Sequence, residues 1–145
     1  PAFEYRTLCH LPTAHIAGTQ GYFVNPFYQG GPVYWMPKFD FGLFLDYCKR
    51  YRITSFFTVP PIYLLIAKSP LVTDQLDTME YAVSGAAPLG KDLQYAASRK
   101  LGRGRCWISQ TWGLSETTGS VTVMPVDVRD DTGSVSPLMP NITAR

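Results

Sequence analysis

Residues Gln110–Gly119 read Gln-Thr-Trp-Gly-Leu-Ser-Glu-Thr-Thr-Gly, between an apolar run at Cys106-Trp107-Ile108 and another at Val121-Thr122-Val123. Ten residues between two strands would ordinarily be filler. These ten carry an indole at Trp112, glycines at Gly113 and Gly119, four hydroxyls and one carboxylate at Glu116. Hydroxyls and backbone N–H groups can hold phosphate oxygens. One carboxylate can hold Mg²⁺, which takes one or two carboxylates and leaves its other positions to phosphate and water. An aromatic face can stack on a nucleobase. Together they make a nucleotide site on one loop.

Two further stretches fit the same chemistry. Ser84-Gly85-Ala86-Ala87-Pro88-Leu89-Gly90 is a run of small residues, which let backbone and ligand approach closely. Leu11-Pro12-Thr13-Ala14-His15-Ile16-Ala17-Gly18 sets one histidine in an apolar segment. Taken in order, the three stretches resemble the adenylate-forming enzymes, the superfamily of acyl- and aryl-CoA ligases, luciferases and peptide-synthetase adenylation domains. Met36-Pro37-Lys38-Phe39-Asp40 and Val59-Pro60-Pro61 also read like connecting segments of 4-coumarate–CoA ligases. The resemblance runs over nearly the whole chain.

That resemblance implies a reaction: a carboxylic acid, aryl or fatty, is joined to the α-phosphate of ATP, pyrophosphate leaves, and the acyl group passes to the thiol of coenzyme A. It implies roles as well. Glu116 would bind Mg²⁺, Ser115 would contact the α-phosphate in place of the family's Thr, and Trp112 would stack on adenine in place of its Tyr. Gln110, Thr111, Gly113, Gly85, Ala86, Ala87 and Pro88 would complete the ATP/AMP site. His15 would stand between the acyl site and the thiol channel and, with Ser115 and Glu116, make the catalytic set. The acid pocket would be walled by His15, Ile16, Ala17, Ser84, Gly85, Thr111 and Gly119. Thr111 departs from the family's usual Gly and would shorten or reshape that pocket. Ala17 stands where the coumarate enzymes tend to have Tyr, and that loss of bulk with the gain at Thr111 argues against coumarate itself; Val83 stands where they often carry Lys, which would remove a polar contact to a phenolic substrate.

Each residue also has a blander reading. Outside its motif Glu116 would be a solvated loop carboxylate, Ser115 turn chemistry, Trp112 a core ring and His15 a hydrogen-bonded core residue. Gly85–Pro88 would be an ordinary strand-to-helix turn. A rival function is a non-catalytic module that binds small aromatic or fatty acids.

The elements that must position these residues follow from periodicity. Tyr5–Leu11 is expected as a strand, about His15 to Tyr28 as a helix, and Gly30-Gly31-Pro32 as a turn before a buried strand Val33–Met36. Asp40 stands as N-cap to a helix whose Phe41, Phe44, Leu45 and Cys48 share one face. Ile53–Val59 is expected as a strand, and Pro60-Pro61 opens a helix to about Lys68. Met79–Ser84 is expected as a strand. A helix follows from Pro88 to Leu101, with Leu93, Ala96, Ala97 and Leu101 inward and Gly102 as its stop. Arg105–Ser109 is the next strand. Alternating strands and helices imply an α/β fold: a mostly parallel sheet with helices on both faces. Ligands in such sheets collect beyond the carboxyl ends of the strands, where both small-residue loops fall.

Composition bounds the rest. At 145 residues, 46% apolar and 14% aromatic, the chain can bury a core. A net charge of +2 with no basic block gives no indication of a nucleic-acid partner. Cys9, Cys48 and Cys106 are odd in number and set in apolar runs, expected as free thiols of an intracellular protein, cytoplasmic or peroxisomal. No apolar run approaches a membrane span. No Gly-x-x-x-x-Gly-Lys-Ser/Thr pattern occurs. By resemblance, residues 1–145 are expected to be the middle of a single N-terminal AMP-binding domain, with its phosphate loop and the C-terminal domain absent. Ile142–Arg145 would open a strand, the isolated chain would be inactive, and its cut sheet edges would lead it to self-associate.

Overall fold

In the computed structural model, which describes residues 3–144, five strands form one parallel sheet: β1 (Thr7–Cys9), β2 (Val33–Trp35), β3 (Ser55–Thr58), β4 (Tyr81–Ser84) and β5 (Ile108–Gln110). Their order across the sheet is β2-β1-β3-β4-β5. The chain steps one way from β1 to β2 and the opposite way from there on. Right-handed crossovers therefore put the first helical segment on one face and the later helices on the other. The fold is the α/β sheet with two covered faces that the alternation implies.

The first segment runs as α1 (Ile16–Thr19), a π-turn (Gln20–Val24) and α2 (Asn25–Gln29). Tyr22 of the π-turn anchors it: its phenol oxygen accepts the backbone N–H groups of His10 and Leu11 at 3.2 and 3.1 Å. The other face is closed by α3 (Phe41–Arg50), α4 (Pro60–Lys68) and α5 (Lys91–Ser98). Strand alternation turns Leu8, Phe56, Ala82 and Ile108 toward these helices, where they share one core with Phe44, Tyr63, Ile66 and Ala97. Phe44 and Phe56 stack with ring centroids 5.2 Å apart. Burying such side chains contributes roughly 1.5–3 kcal/mol apiece.

Local signals explain most boundaries. The Asp40 carboxylate accepts the Leu43 N–H at 2.9 Å and starts α3, and Pro60 and Pro61 open α4. Gly102 adopts φ +55, and a side chain there would collide with the Met79 carbonyl. The three cysteines are buried free thiols. Among the described residues no helix is long and apolar enough to cross a membrane.

Several expectations need correction. β2 is an edge strand with Trp35 half-exposed, its ring meeting only Tyr22 and Phe23 among the described aromatic residues. Ala96 faces solvent on α5. Gln94 and Ser98 are buried there, since both side chains bond β5: Gln94 Nε2 donates to the Ile108 carbonyl at 2.7 Å and Ser98 Oγ accepts the Ile108 N–H at 3.1 Å. Pro88 precedes α5 by three residues, and that helix ends at Ser98 rather than Leu101. β5 begins at Ile108; Cys106 and Trp107 pack but do not join the ladder. Val121–Val123 makes one bridge, Thr122 to Leu138, instead of a strand. Residues 142–144 form no strand, and Arg145 lies outside the described residues.

Candidate active site

The decapeptide folds on itself. β6 (Gly113–Leu114) pairs antiparallel with β7 (Gly119–Ser120), and a 3₁₀ turn, Ser115–Thr117, crosses the tip. Two glycines permit it. A side chain at Gly113 would strike the Gly119 carbonyl, and one at Gly119, where φ is +105, would strike the Gln20 carboxamide. The Thr117 hydroxyl ties the turn together, accepting the Leu114 N–H at 2.9 Å and donating to the Gly119 carbonyl at 2.8 Å.

Thr122 fixes the base of the hairpin. Its hydroxyl oxygen accepts the Trp112 N–H at 2.8 Å, and its carbonyl accepts the Thr111 hydroxyl at 2.7 Å. Thr111 is therefore buried and held by its polar end, with its methyl turned to Gly85. A Cβ at Gly85 would lie 3.1 Å from that methyl and 3.0 Å from the Phe57 ring. Gly85 is small because two side chains already occupy the space beside it.

At the carboxyl end of β1 the chain turns through Pro12 into α1, and His15 caps that helix. Its Nδ1 accepts the Ala17 N–H at 3.1 Å. The bond fixes the tautomer: an accepting Nδ1 leaves the proton on Nε2. Nε2 bonds nothing among the described residues, and the ring is exposed. The cap thus sets a hydrogen-bond donor at the rim of the site.

These parts meet around one cleft of about 280 Å³ beyond the carboxyl ends of the strands. Of the residues expected from sequence, His15, Ile16, Ala17, Gly85, Ala86, Thr111, Gly113, Ser115, Glu116 and Gly119 line it. Ala87, Pro88 and Trp112 are exposed but do not line it, and Trp112 keeps 45% of its surface in solvent. Ser84 and Gln110 lie beneath it, paired across β4 and β5 and buried. Four lining residues were missed: Gln20, Phe57, Leu114 and Ser120. Phe57 could have been found from alternation in β3, which puts it opposite the core residue Phe56. Gln20 could have been found from helical spacing, since it stands four residues after Ile16.

The site can be tested for fit to ATP and Mg²⁺ on its own features. Gln110 Oε1 accepts the Leu89 N–H at 2.9 Å, while its Nε2 and the neighbouring Ser84 Oγ are buried without a partner among the described residues. Gln94 Oε1, in the interior under α5, is a third such group, so these atoms alone do not mark a ligand site. Glu116 is an exposed single carboxylate on the 3₁₀ turn, and no cluster of three metal-ligating side chains occurs among the described residues. One carboxylate suits Mg²⁺ carried in on phosphates and would not hold a metal by itself.

Comparison with known proteins identifies the family. The AMP-binding enzyme family model matches residues 2–145, and the chain belongs to that family. It is 54% identical over 141 residues to a protein of Emericella nidulans assigned as an acyl-coenzyme A synthetase, covering 97% of this chain and 25% of that one. It is 37% identical over 110 residues to 4-coumarate–CoA ligase 3 of Arabidopsis thaliana, covering 75% of this chain and 19% of that one. Its fold superimposes on the crystal structure of ATP-bound MatB from Rhodopseudomonas palustris with a TM-score of 0.80 at 28% identity, over 94% of this chain and 26% of that one. The chain spans about a quarter, or less, of the length of the curated relatives it matches.

Proposed function

We propose that the protein containing these residues is an ATP-dependent acid–CoA ligase. It would activate a carboxylic acid as its adenylate and pass the acyl group to the thiol of coenzyme A. Residues 1–145 would be the middle of its N-terminal AMP-binding domain. The observation that carries this reading is the meeting of His15–Ala17, Gly85–Ala86, Thr111 and Gly113–Glu116 around one cleft. Three separated segments of apolar and small residues converge there on a hydroxyl, a carboxylate and an imidazole donor. Names of relatives add weight, since both curated proteins above are acid–CoA ligases or synthetases by name.

In this reading each residue has a defined task. Ser115 and the N–H groups of the 3₁₀ turn hold phosphate oxygens. Glu116 would hold Mg²⁺, which neutralises phosphate charge when bound. His15 Nε2–H donates to the acid's carboxylate and turns it toward the phosphate, so the two reactants begin close to in-line geometry. Trp112 offers an exposed indole face to adenine, held in place through Thr122. The small backbone at Gly85 and Ala86 lets nucleotide and acid lie side by side, and Thr111 limits the width of the acid's path.

The test is ATP–pyrophosphate exchange by the full-length protein across a panel of aryl and fatty acids, with Glu116→Ala beside the wild type. Exchange with one acid class, reduced at least about a hundredfold by the substitution, is the expected result; that is about 2.7 kcal/mol of transition-state stabilisation. Saturable acid binding with no exchange and no nucleotide dependence would instead establish a binding module.

A further inference from the structure

The hairpin that carries Ser115 and Glu116 stands on two legs, residues 110–112 going in and residues 121–123 coming out. The legs are tied to each other at Thr122, and again by the Val121 N–H, which donates to the Trp112 carbonyl at 2.9 Å. A third segment, residues 135–139, is bonded to both legs like a strap. It grips the outgoing leg repeatedly. The Val123 N–H donates to the Pro137 carbonyl at 3.0 Å, the Met139 N–H to the Val121 carbonyl at 2.9 Å, and the Thr122 hydroxyl to the Val135 carbonyl.

The incoming leg is held to the strap in one place. It continues β5, which is an edge strand of the sheet. The outward groups of that strand are bonded by side chains: those of Ile108 by Gln94 and Ser98 of α5, and the carbonyl of Gln110 by the Ser136 hydroxyl. Among the described residues this is the strap's one hydrogen bond to residues 110–112. Gln110 and Ser136 are both buried, so without that hydroxyl the carbonyl would have neither partner nor water.

The bond is made against local preference. Ser136 has φ +76, where a side chain crowds its own backbone and glycine is the residue at ease. It also precedes Pro137, and a residue before proline favours extended backbone with negative φ. Two preferences are overridden at one buried residue. Such backbone persists only where its surroundings over-determine it, and what serine supplies there that glycine would not is the hydroxyl.

We propose that Ser136 is a positioning residue for this loop: its hydroxyl latches the incoming leg to the strap and so sets the direction in which Ser115 and Glu116 leave the sheet. A hairpin gripped by one leg can rock about it, and the turn at its tip, farthest from the grip, moves most. With both legs held, the Ser115 hydroxyl and the Glu116 carboxylate are in place before a substrate arrives. The consequence for the reaction rests on the ligase reading.

The experiment compares Ser136→Gly and Ser136→Ala with wild type in the full-length protein. Both remove the hydroxyl, but Gly also relieves the backbone, so Gly should melt within about 3 °C of wild type and Ala clearly lower. Two further quantities are read: ATP–pyrophosphate exchange, and amide hydrogen exchange of peptides spanning residues 111–121. Both variants should lose about tenfold in pyrophosphate exchange and about tenfold in protection of those amides, in spite of their different melting temperatures. Wild-type activity and protection in Gly, or losses confined to Ala in step with its stability, would make Ser136 a structural residue and overturn the inference. A loosened hairpin with undiminished pyrophosphate exchange would overturn it too. If the wild type shows no pyrophosphate exchange with any acid, the ligase reading fails, and amide protection alone decides for or against the latch.

Discussion

His10 and His15 leave β1 five positions apart and end in two different regions. His10 enters the interior at the seam between β1 and β3. Its Nδ1–H donates to the Leu8 carbonyl at 2.7 Å, its Nε2 accepts the Thr58 hydroxyl at 2.8 Å, and its ring sits edge-on to Phe44 and Phe56. Burial lowers its pKa to about 4. His15 stays on the rim, with one nitrogen capping a helix and the other free. The interior uses both ends of such a group for the fold. The rim uses one end to fix the group and turns the other outward. Half-satisfied polar side chains on a rigid support are therefore where ligand recognition is to be sought in this molecule.

The largest expected effect lies on the packed side. Phe44→Ala in the full-length protein should cost about 3–5 kcal/mol, read as a lowered urea midpoint, because a fully buried ring is lost from a close-packed core. If the two regions are as separate as the geometry implies, the KM for the acid should change less than about threefold in the fraction that remains folded. A KM that moved in step with stability would break the distinction.

The next effect is a pH dependence, and its sign follows from linkage. His10 has a folded pKa of about 4 against 6.5 for a free side chain, so between those values the unfolded chain binds the extra proton. Its contribution is complete above pH 6.5 and is lost as pH falls toward about 4, on the order of 3 kcal/mol in all. His10→Gln can still donate to Leu8 and accept from Thr58 but does not titrate. The midpoint of the Gln variant should fall less steeply between pH 6.5 and 4. Parallel slopes for variant and wild type would show that His10 is not the group responsible.

How much of this was legible in the sequence depends on what each residue answers to. α3 was plain because its apolar face and its Asp40 cap are local signals that agree. The inward face of α5 was misjudged at Ala96, since Gln94 and Ser98 are buried by bonds to β5, and a bond across elements leaves no mark in periodicity. β5 was placed early because Cys106 and Trp107 pack like strand residues without pairing. In the candidate site, the motif residues of the hairpin were found through family resemblance. Gln20 was not, although it stands four residues after Ile16 and so on the same face of the helical segment.

The smallest effect separates the two uses of one side chain. His15→Ala removes both the cap acceptor on Ala17 and the free Nε2–H, so losses of stability and of activity would be confounded. His15→Asn keeps an acceptor at an N-cap position, where Asn ranks among the best residues, and should hold stability within about 0.5 kcal/mol of wild type. It cannot extend a donor as far as the imidazole Nε2. The Asn variant should therefore keep its urea midpoint while kcat/KM for the acid falls about tenfold, or about 1.4 kcal/mol. The Ala variant should lose a further ~1 kcal/mol of stability and little more activity. If Asn restored activity along with stability, His15 would be a cap and nothing else, and the donor facing the acid would have to be sought elsewhere on the rim.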